Sequence, residues 1–202
     1  MANSYFRIKG SRRPLKGVVS IRGAKNDALK AFYSSLLFSS AITIKNTPLI
    51  EDIFRTRELL EDVGVKVTKS LRRVFKLDAS TINKSVLKKS FVESMRASIL
   101  LVGPLLSRKK SVTFVHPGGC VIGKRPIDIF LAGWTAMGAH VTTSRGVYRL
   151  RAPFLHGCDF TFPTVSITGT ESLMMTAVLA KGRTILRNAA LEPEIPHLAK
   201  FL

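Results

Sequence analysis

Val112-Thr113-Phe114-Val115-His116-Pro117-Gly118-Gly119-Cys120-Val121-Ile122-Gly123-Lys124-Arg125-Pro126-Ile127-Asp128 passes from an apolar β-like run, through three glycines, a cysteine and a Lys-Arg pair, into a helical pattern that begins near Pro126. Its opening pentapeptide has two relatives in the same chain, Ile42-Thr43-Ile44-Lys45-Asn46 and Thr184-Ile185-Leu186-Arg187-Asn188, placed almost evenly before and after it. Each is preceded by a helix pattern, over residues 27–38, 92–106 and 170–180, and followed by a second one that begins near Asp52, Pro126 and Glu194. In the first two units the second helix ends in a glycine cap and a strand, Gly64-Val65-Lys66-Val67 and Gly138-Ala139-His140-Val141. A repeat of helix, strand, helix and strand at this period predicts an α/β architecture of βαβαββ-type units.

The repeat also isolates its own exception. From the first unit to the second, the interval between the caps Gly64 and Gly138 is wider than the interval between the strand starts Ile42 and Val112. The second unit therefore holds an insertion, at Gly119-Cys120-Val121-Ile122. An insertion that packing does not require is a candidate for function. Two readings of the loop stand side by side: a reactive thiol beside cations and close-approaching glycine backbone, or a glycine-rich turn with a buried cysteine. By the same spacing the third unit would place its glycine cap beyond Leu202, so that unit is expected to be incomplete.

With 32 Lys and Arg against 13 Asp and Glu, the formal charge is +19, which calls for a partner or substrate rich in negative charge. The cations are spread along the chain, with pairs at Arg12-Arg13, Arg72-Arg73 and Lys88-Lys89 and a triplet at Arg108-Lys109-Lys110. No zinc-finger spacing, basic tail or RNP-like segment accompanies them, so phosphate-bearing small molecules compete with nucleic acid and with a merely solvated basic surface. Cys120 and Cys158 do not make a disulfide framework and have no metal-ligand spacing. Neither a membrane span nor a signal-peptide core is legible, and a cytoplasmic location is expected.

Residues 5–22 alternate apolar and polar side chains in two bursts around Gly-Ser-Arg-Arg-Pro, which predicts strand, turn and strand. Gly23-Ala24-Lys25-Asn26-Asp27 then opens a helix with Asn26 or Asp27 as its cap, and Lys25 and Asn26 at a helix start are placed to meet an anion or simply to cap and be solvated. Further strands are expected over Arg73–Leu77, Gly146–Leu150 and Asp159–Phe162. His116, His140, His156 and His197 fall at unrelated places in the repeat and read as structural or surface residues; Trp134 and Met137 read as core.

Four of these pieces, Gly23-Ala24-Lys25-Asn26, Met95-Arg96-Ala97-Ser98-Ile99, the Cys120 loop from Pro117 to Asp128, and Asn188-Ala189-Ala190-Leu191-Glu192-Pro193-Glu194-Ile195, together resemble the UDP-N-acetylglucosamine 1-carboxyvinyltransferase family. The resemblance runs from about Phe6 to Leu202 and covers the first half of the family's length. It implies an inside-out α/β lobe of three repeats, the third truncated, with residues 23–202 forming the Cys-loop lobe and residues 1–22 belonging to the family's other lobe. It implies transfer of the enolpyruvyl group of phosphoenolpyruvate to the 3′-hydroxyl of UDP-N-acetylglucosamine at the start of peptidoglycan precursor synthesis, with no cofactor or metal. The carried-over roles are Cys120 as the acid, Lys25, Asn26 and Arg125 at phosphoenolpyruvate, and Arg96, Arg125, Pro126, Ile127, Asp128, Ile129, Ser166 and Ile167 at the nucleotide sugar. Thr164 stands where the family usually has a lysine. The partners implied are the two substrates and a missing C-terminal half or partner chain, so the chain alone is expected to be inactive; a non-catalytic anion- or nucleic-acid-binding domain on the same scaffold is the alternative. The related shikimate-pathway transferases fit less well, because they lack the cysteine loop.

Overall fold

The computed structural model describes residues 5–11, 13–70, 73–118 and 126–202. Helix α1 (Lys25–Ser34) leads through a 3-10 turn (Ser35–Leu37) to strand β1 (Ile42–Ile44), helix α2 (Glu51–Asp62) and a hairpin of β2 (Lys66–Ser70) and β3 (Val74–Asp78). The second unit follows with α3 (Lys89–Ser94), a 3-10 segment (Arg96–Leu101), α4 (Val102–Lys109), β4 (Ser111–Val115), α5 (Asp128–Ala136), β5 (His140–Ser144) and β6 (Val147–Arg151). The third has β7 (Asp159–Thr161), α6 (Ile167–Ala177), β8 (Ile185–Arg187) and α7 (Glu194–Phe201).

The sheets reproduce the internal repeat. In the first two units the strand order is identical, β1-β3-β2 and β4-β6-β5, and every pairing in them is antiparallel. A strand that enters the next helix lies parallel beside the following strand: β7 pairs with β8, and Val86 bridges Thr113 of β4. Gly64 and Gly138 end α2 and α5 at φ +99 and +94, the left-handed region that only glycine enters without strain, so both helices turn into their strands as the spacing predicts. The second unit's exception is visible too. The connection from strand to helix spans 45–50 in the first unit and 188–193 in the third, but 116–127 in the second, twice as long. The Gly119–Arg125 part of that connection, with Cys120, lies outside the described residues.

Three local expectations are corrected. Residues 5–22 form no strand among the described residues; Phe6, Leu15 and Val18 are 98%, 93% and 97% exposed. A strand is held by the edge it pairs with, an isolated hairpin is marginal in water, and here no edge is supplied. The helix expected over residues 92–106 is interrupted at Met95, which is extended at φ −150 and ψ 126. Pro104, in the first turn of α4, has no N–H to give to Leu100, so the α-helical ladder begins at α4 and a 3-10 segment precedes it. Finally, α1 is capped by neither Asn26 nor Asp27: Ala24 is the extended residue before it, and both polar side chains sit in the first turn.

The core is one cluster that runs through all three units, from Phe32, Tyr33 and Leu59 through Phe114 and Trp134 to Leu173 and Leu198. Trp134 is fully buried, as expected, and its Nε1–H donates to Thr176 Oγ1 at 3.1 Å, so its one polar atom is satisfied. Met137 is buried in the same core. The histidines take structural or surface places: His116 and His156 bond the carbonyls of Pro117 and Gly157, and His140 is exposed on β5. Gly103 lets α4 approach α6 so closely that a Cβ there would meet Thr176 Oγ1 and the Ser172 carbonyl. The Gly103→Ala variant should therefore lose about 1–3 kcal/mol through overpacking, read as a lower urea midpoint with an unchanged m-value.

Candidate functional site

Three helical segments begin at Lys25, Arg96 and Ile167, evenly spaced along the chain. Each is preceded by a residue in extended backbone, Ala24, Met95 and Ser166, so the chain turns into each helix in the same way. All three starts open on one cavity of about 570 Å³. Its lining contains the same three positions of each repeat: Lys25, Asn26 and Leu29; Arg96, Ala97 and Leu100; Ile167, Thr168 and Glu171. The first turn of a helix leaves N–H groups without intrahelical partners and carries a partial positive charge. Lys25, Arg96 and Arg55 of α2 line the cavity beside three carboxylates, Glu51, Asp52 and Glu171; Lys25 and Arg55 pair with Asp52 and Glu51, and the helix starts add N–H groups that suit an anion.

Carboxylates from other helices hold the side chains of α1 in place. Lys25 Nζ lies 2.8 Å from Asp52 Oδ1 in the first turn of α2. Asn26 Nδ2 donates to Glu194 Oε1 in the first turn of α7 at 2.8 Å, a bond that holds the Glu194 carboxyl below the usual carboxylate range. Asp52 and Glu194 are themselves repeat-equivalent, separated by the same interval as Ile42 and Thr184. One turn further along α1, Lys30 Nζ donates to Glu171 Oε1 at 2.7 Å, with 2% and 4% of their side chains exposed. Burial pushes the Glu171 carboxyl up, and the Lys30 ammonium opposes that.

A second cavity of about 670 Å³ shares Arg96, Ile167 and Thr168 with the first and continues past Pro126, Asp128, Ile129 and Ser166. Arg96 Nη2 donates to the Pro126 carbonyl at 3.1 Å, which ties the start of the 3-10 segment to the segment entering α5. Ser166 Oγ accepts the Gly169 N–H at 3.1 Å and caps α6, so this hydroxyl has a structural partner as well as a place in the lining. Thr164 also lines this cavity, and so does Glu192, whose Oε2 is buried with no hydrogen-bond partner among the described residues.

Of the residues singled out from the sequence, Lys25 and Asn26 thus line the first cavity, Pro126, Asp128, Ile129 and Ser166 the second, and Arg96 and Ile167 both. Ile127 is turned into the core and lines neither. Cys120 and Arg125 lie outside the described residues. Asp52, Glu171 and Glu194 are missing from that set. Aligning the repeats on Lys25, Arg96 and Ile167 flags all three, because it puts Glu171 in register with Leu29 and Leu100 and puts Glu194 in register with Asp52.

Residues 9–202 match the EPSP synthase (3-phosphoshikimate 1-carboxyvinyltransferase) family model, and the chain belongs to this family of enolpyruvyl transferases. The curated relatives it resembles are named UDP-N-acetylglucosamine 1-carboxyvinyltransferase. Those from Idiomarina loihiensis and Acidiphilium cryptum are 42% and 43% identical over 98% of this chain. The chain spans 47% of the length of each, about half. Among solved structures, the enolpyruvyl transferase NikO from Streptomyces tendae superposes with a TM-score of 0.80 at 18% identity, over 93% of this chain and 44% of that one. EPSP synthase from Acinetobacter baumannii gives 0.72 at 18% identity over 89% and 42%. These structures share the fold of this chain. Among the described residues no helix is long and apolar enough to cross a membrane.

The Asn26–Glu194 bond has a defined pH dependence. Because the folded-state pKa of Glu194 is depressed, the bond contributes fully above the ordinary carboxylate pKa of about 4 and is lost as pH falls through the lower folded value. Amide protection in α1, taken relative to the intrinsic exchange rate at each pH, should therefore fall in acid in the wild-type chain. In Glu194→Gln, which keeps an acceptor oxygen but does not titrate, it should vary less with pH over that window.

Proposed function

We propose that this chain carries the substrate-binding lobe of an enolpyruvyl transferase that joins phosphoenolpyruvate to UDP-N-acetylglucosamine, the first step toward peptidoglycan precursors in the cytoplasm. The observation that carries the reading is the convergence of three repeat-equivalent helix starts on one cavity, with Lys25, Asn26 and Arg96 at its wall and a second, larger cavity joined to it through Arg96. Both substrates are polyanions, and two joined cavities with Arg96 at their junction and Lys25 in the first suit a phosphorylated three-carbon acid beside a nucleotide sugar.

In this reading Lys25, Asn26 and Arg125 hold phosphoenolpyruvate, the two cations at its phosphate and carboxylate. Arg96, Arg125, Pro126, Asp128, Ile129, Ser166 and Ile167 surround the nucleotide sugar, while Ile127 supports the turn from below. Cys120 gives its proton to the methylene carbon of phosphoenolpyruvate while a general base takes the proton of the 3′-hydroxyl and its oxygen adds to the adjacent carbon. The Cys120 thiolate takes a proton back from the methyl group so formed as the bond from carbon to the phosphate oxygen breaks, which releases inorganic phosphate and restores the enol double bond. Lys124 and Arg125 favour the thiolate, and the bound anions offset them and return the proton to sulfur. Thr164 brings no charge, so Arg96 and Arg125 are the cations that serve the nucleotide sugar beside it, and the buried Glu192 oxygen can accept from a ligand hydroxyl or amide.

The chain spans about half of its relatives, and its exposed, alternating residues 5–22 fit a segment that pairs with an edge outside residues 23–202. The general base and further arginines then come from a second lobe. Phosphate release from both substrates should stay at background with the chain alone and rise when the C-terminal half of a relative is added; rapid release by the chain alone would sink the two-lobe requirement. Lys25→Ala should weaken phosphoenolpyruvate binding, measured calorimetrically, by about 10- to 100-fold, the loss expected for one charge-assisted hydrogen bond of about 1.5–3 kcal/mol.

A further inference from the structure

The internal repeat supplies a template against which single residues can be compared, and one departure from it is inside the protein. At the position one turn into the three helices that open on the first cavity stand Leu29, Leu100 and Glu171; at the next position stand Lys30, Leu101 and Ser172. All six are buried. The first and third units therefore meet, across α1 and α6, through the Lys30–Glu171 ion pair, where the second unit presents two leucines. Two apolar side chains would pack this seam without desolvating any charge, whereas the attraction within a buried ion pair does little more than repay the cost of taking both of its members out of water. Stability alone does not account for a charged pair here.

Its location supplies another role. Lys30 lies one turn below Lys25 and Asn26 on α1, and Glu171 lies one turn below Ile167 and Thr168 on α6. Glu171 itself lines the same cavity as those four residues. A leucine contact has no preferred direction, since dispersion is non-directional, whereas a 2.7 Å N–H···O bond between two buried groups ties one point of α1 to one point of α6. Asp52 and Glu194 hold the same helix from two other sides, but both of those contacts are partly exposed to solvent.

We propose that Lys30 and Glu171 are positioning residues: their buried pair locks the register of α1 against α6 and so sets the spacing of the two helix starts that line the cavity around a phosphorylated ligand. This rests on the assignment of that cavity to phosphoenolpyruvate. Neither side chain takes part in proton transfer.

The test is the paired substitution Lys30→Leu with Glu171→Leu, which gives the seam the two leucines of the second unit and leaves the net charge unchanged. The variant should melt cooperatively at or above the wild-type temperature and bind phosphoenolpyruvate about tenfold more weakly by calorimetry, because small misplacements of binding groups cost affinity steeply. A second pair, Lys30→Gln with Glu171→Gln, keeps a hydrogen bond across the seam without charge and should bind within about twofold of wild type. Wild-type affinity in the leucine pair overturns the inference alone, as does a leucine pair that no longer folds, which would assign the ion pair to stability. A tenfold loss in the glutamine pair overturns the register argument. Wild-type protein with no affinity for phosphoenolpyruvate overturns the assignment of the cavity and this inference with it.

Discussion

Helix α1 is held by carboxylates that come from three other helices, and the arrangement of the rest of the site depends on that. Asp52 of α2 takes Lys25, Glu194 of α7 takes Asn26, and Glu171 of α6 takes Lys30. The exposed Asp27 and His197 add a fourth contact between α1 and α7 at 3.5 Å. In a chain with only 13 acidic residues, this use of them is selective. Most cations elsewhere stay solvated and lend little stability, whereas those on α1 are oriented by partners whose helices belong to the first and third units.

The repeat explains why these partners are available. A βαβαββ unit brings its two helix starts to equivalent places, so copies of the unit surround a common point with copies of the same positions. That symmetry builds a cavity, and departures from it give the cavity its chemistry: Lys25, Arg96 and Ile167 are equivalent by spacing and differ in charge, as do Leu29, Leu100 and Glu171. The connection between β4 and α5, twice as long as its counterparts in the other units, is a departure of the same kind. Packing needs only the shared pattern, and function occupies the positions where the pattern is broken.

Much of this was legible beforehand because it depends on local chemistry. Strand alternation, the glycines at positions 64 and 138 and the regular period of the repeat locate most strands and helices, since each follows from residues close in sequence. Readings failed where the deciding partner was distant or absent. Residues 5–22 have the alternation of strands but no edge to pair with, and the polar side chains at 26 and 27 reach other helices instead of capping their own. Met95 and Pro104 broke a helix whose apolar pattern looked continuous, because the pattern records which faces are buried and says nothing of a missing N–H.

By itself, then, the order of residues determined the repeat, the place where the repeat is interrupted at Cys120, and the residue types that suit anionic ligands, all of them properties of spacing and side-chain chemistry. Tertiary structure decided which residues meet. It brought Lys25, Arg96 and Ile167 to one cavity from three separate units, put Ile127 in the core, and joined Lys30 of the first unit to Glu171 of the third. Such meetings are set by how whole helices pack, and a burial pattern read along one helix does not specify which distant carboxylate faces it.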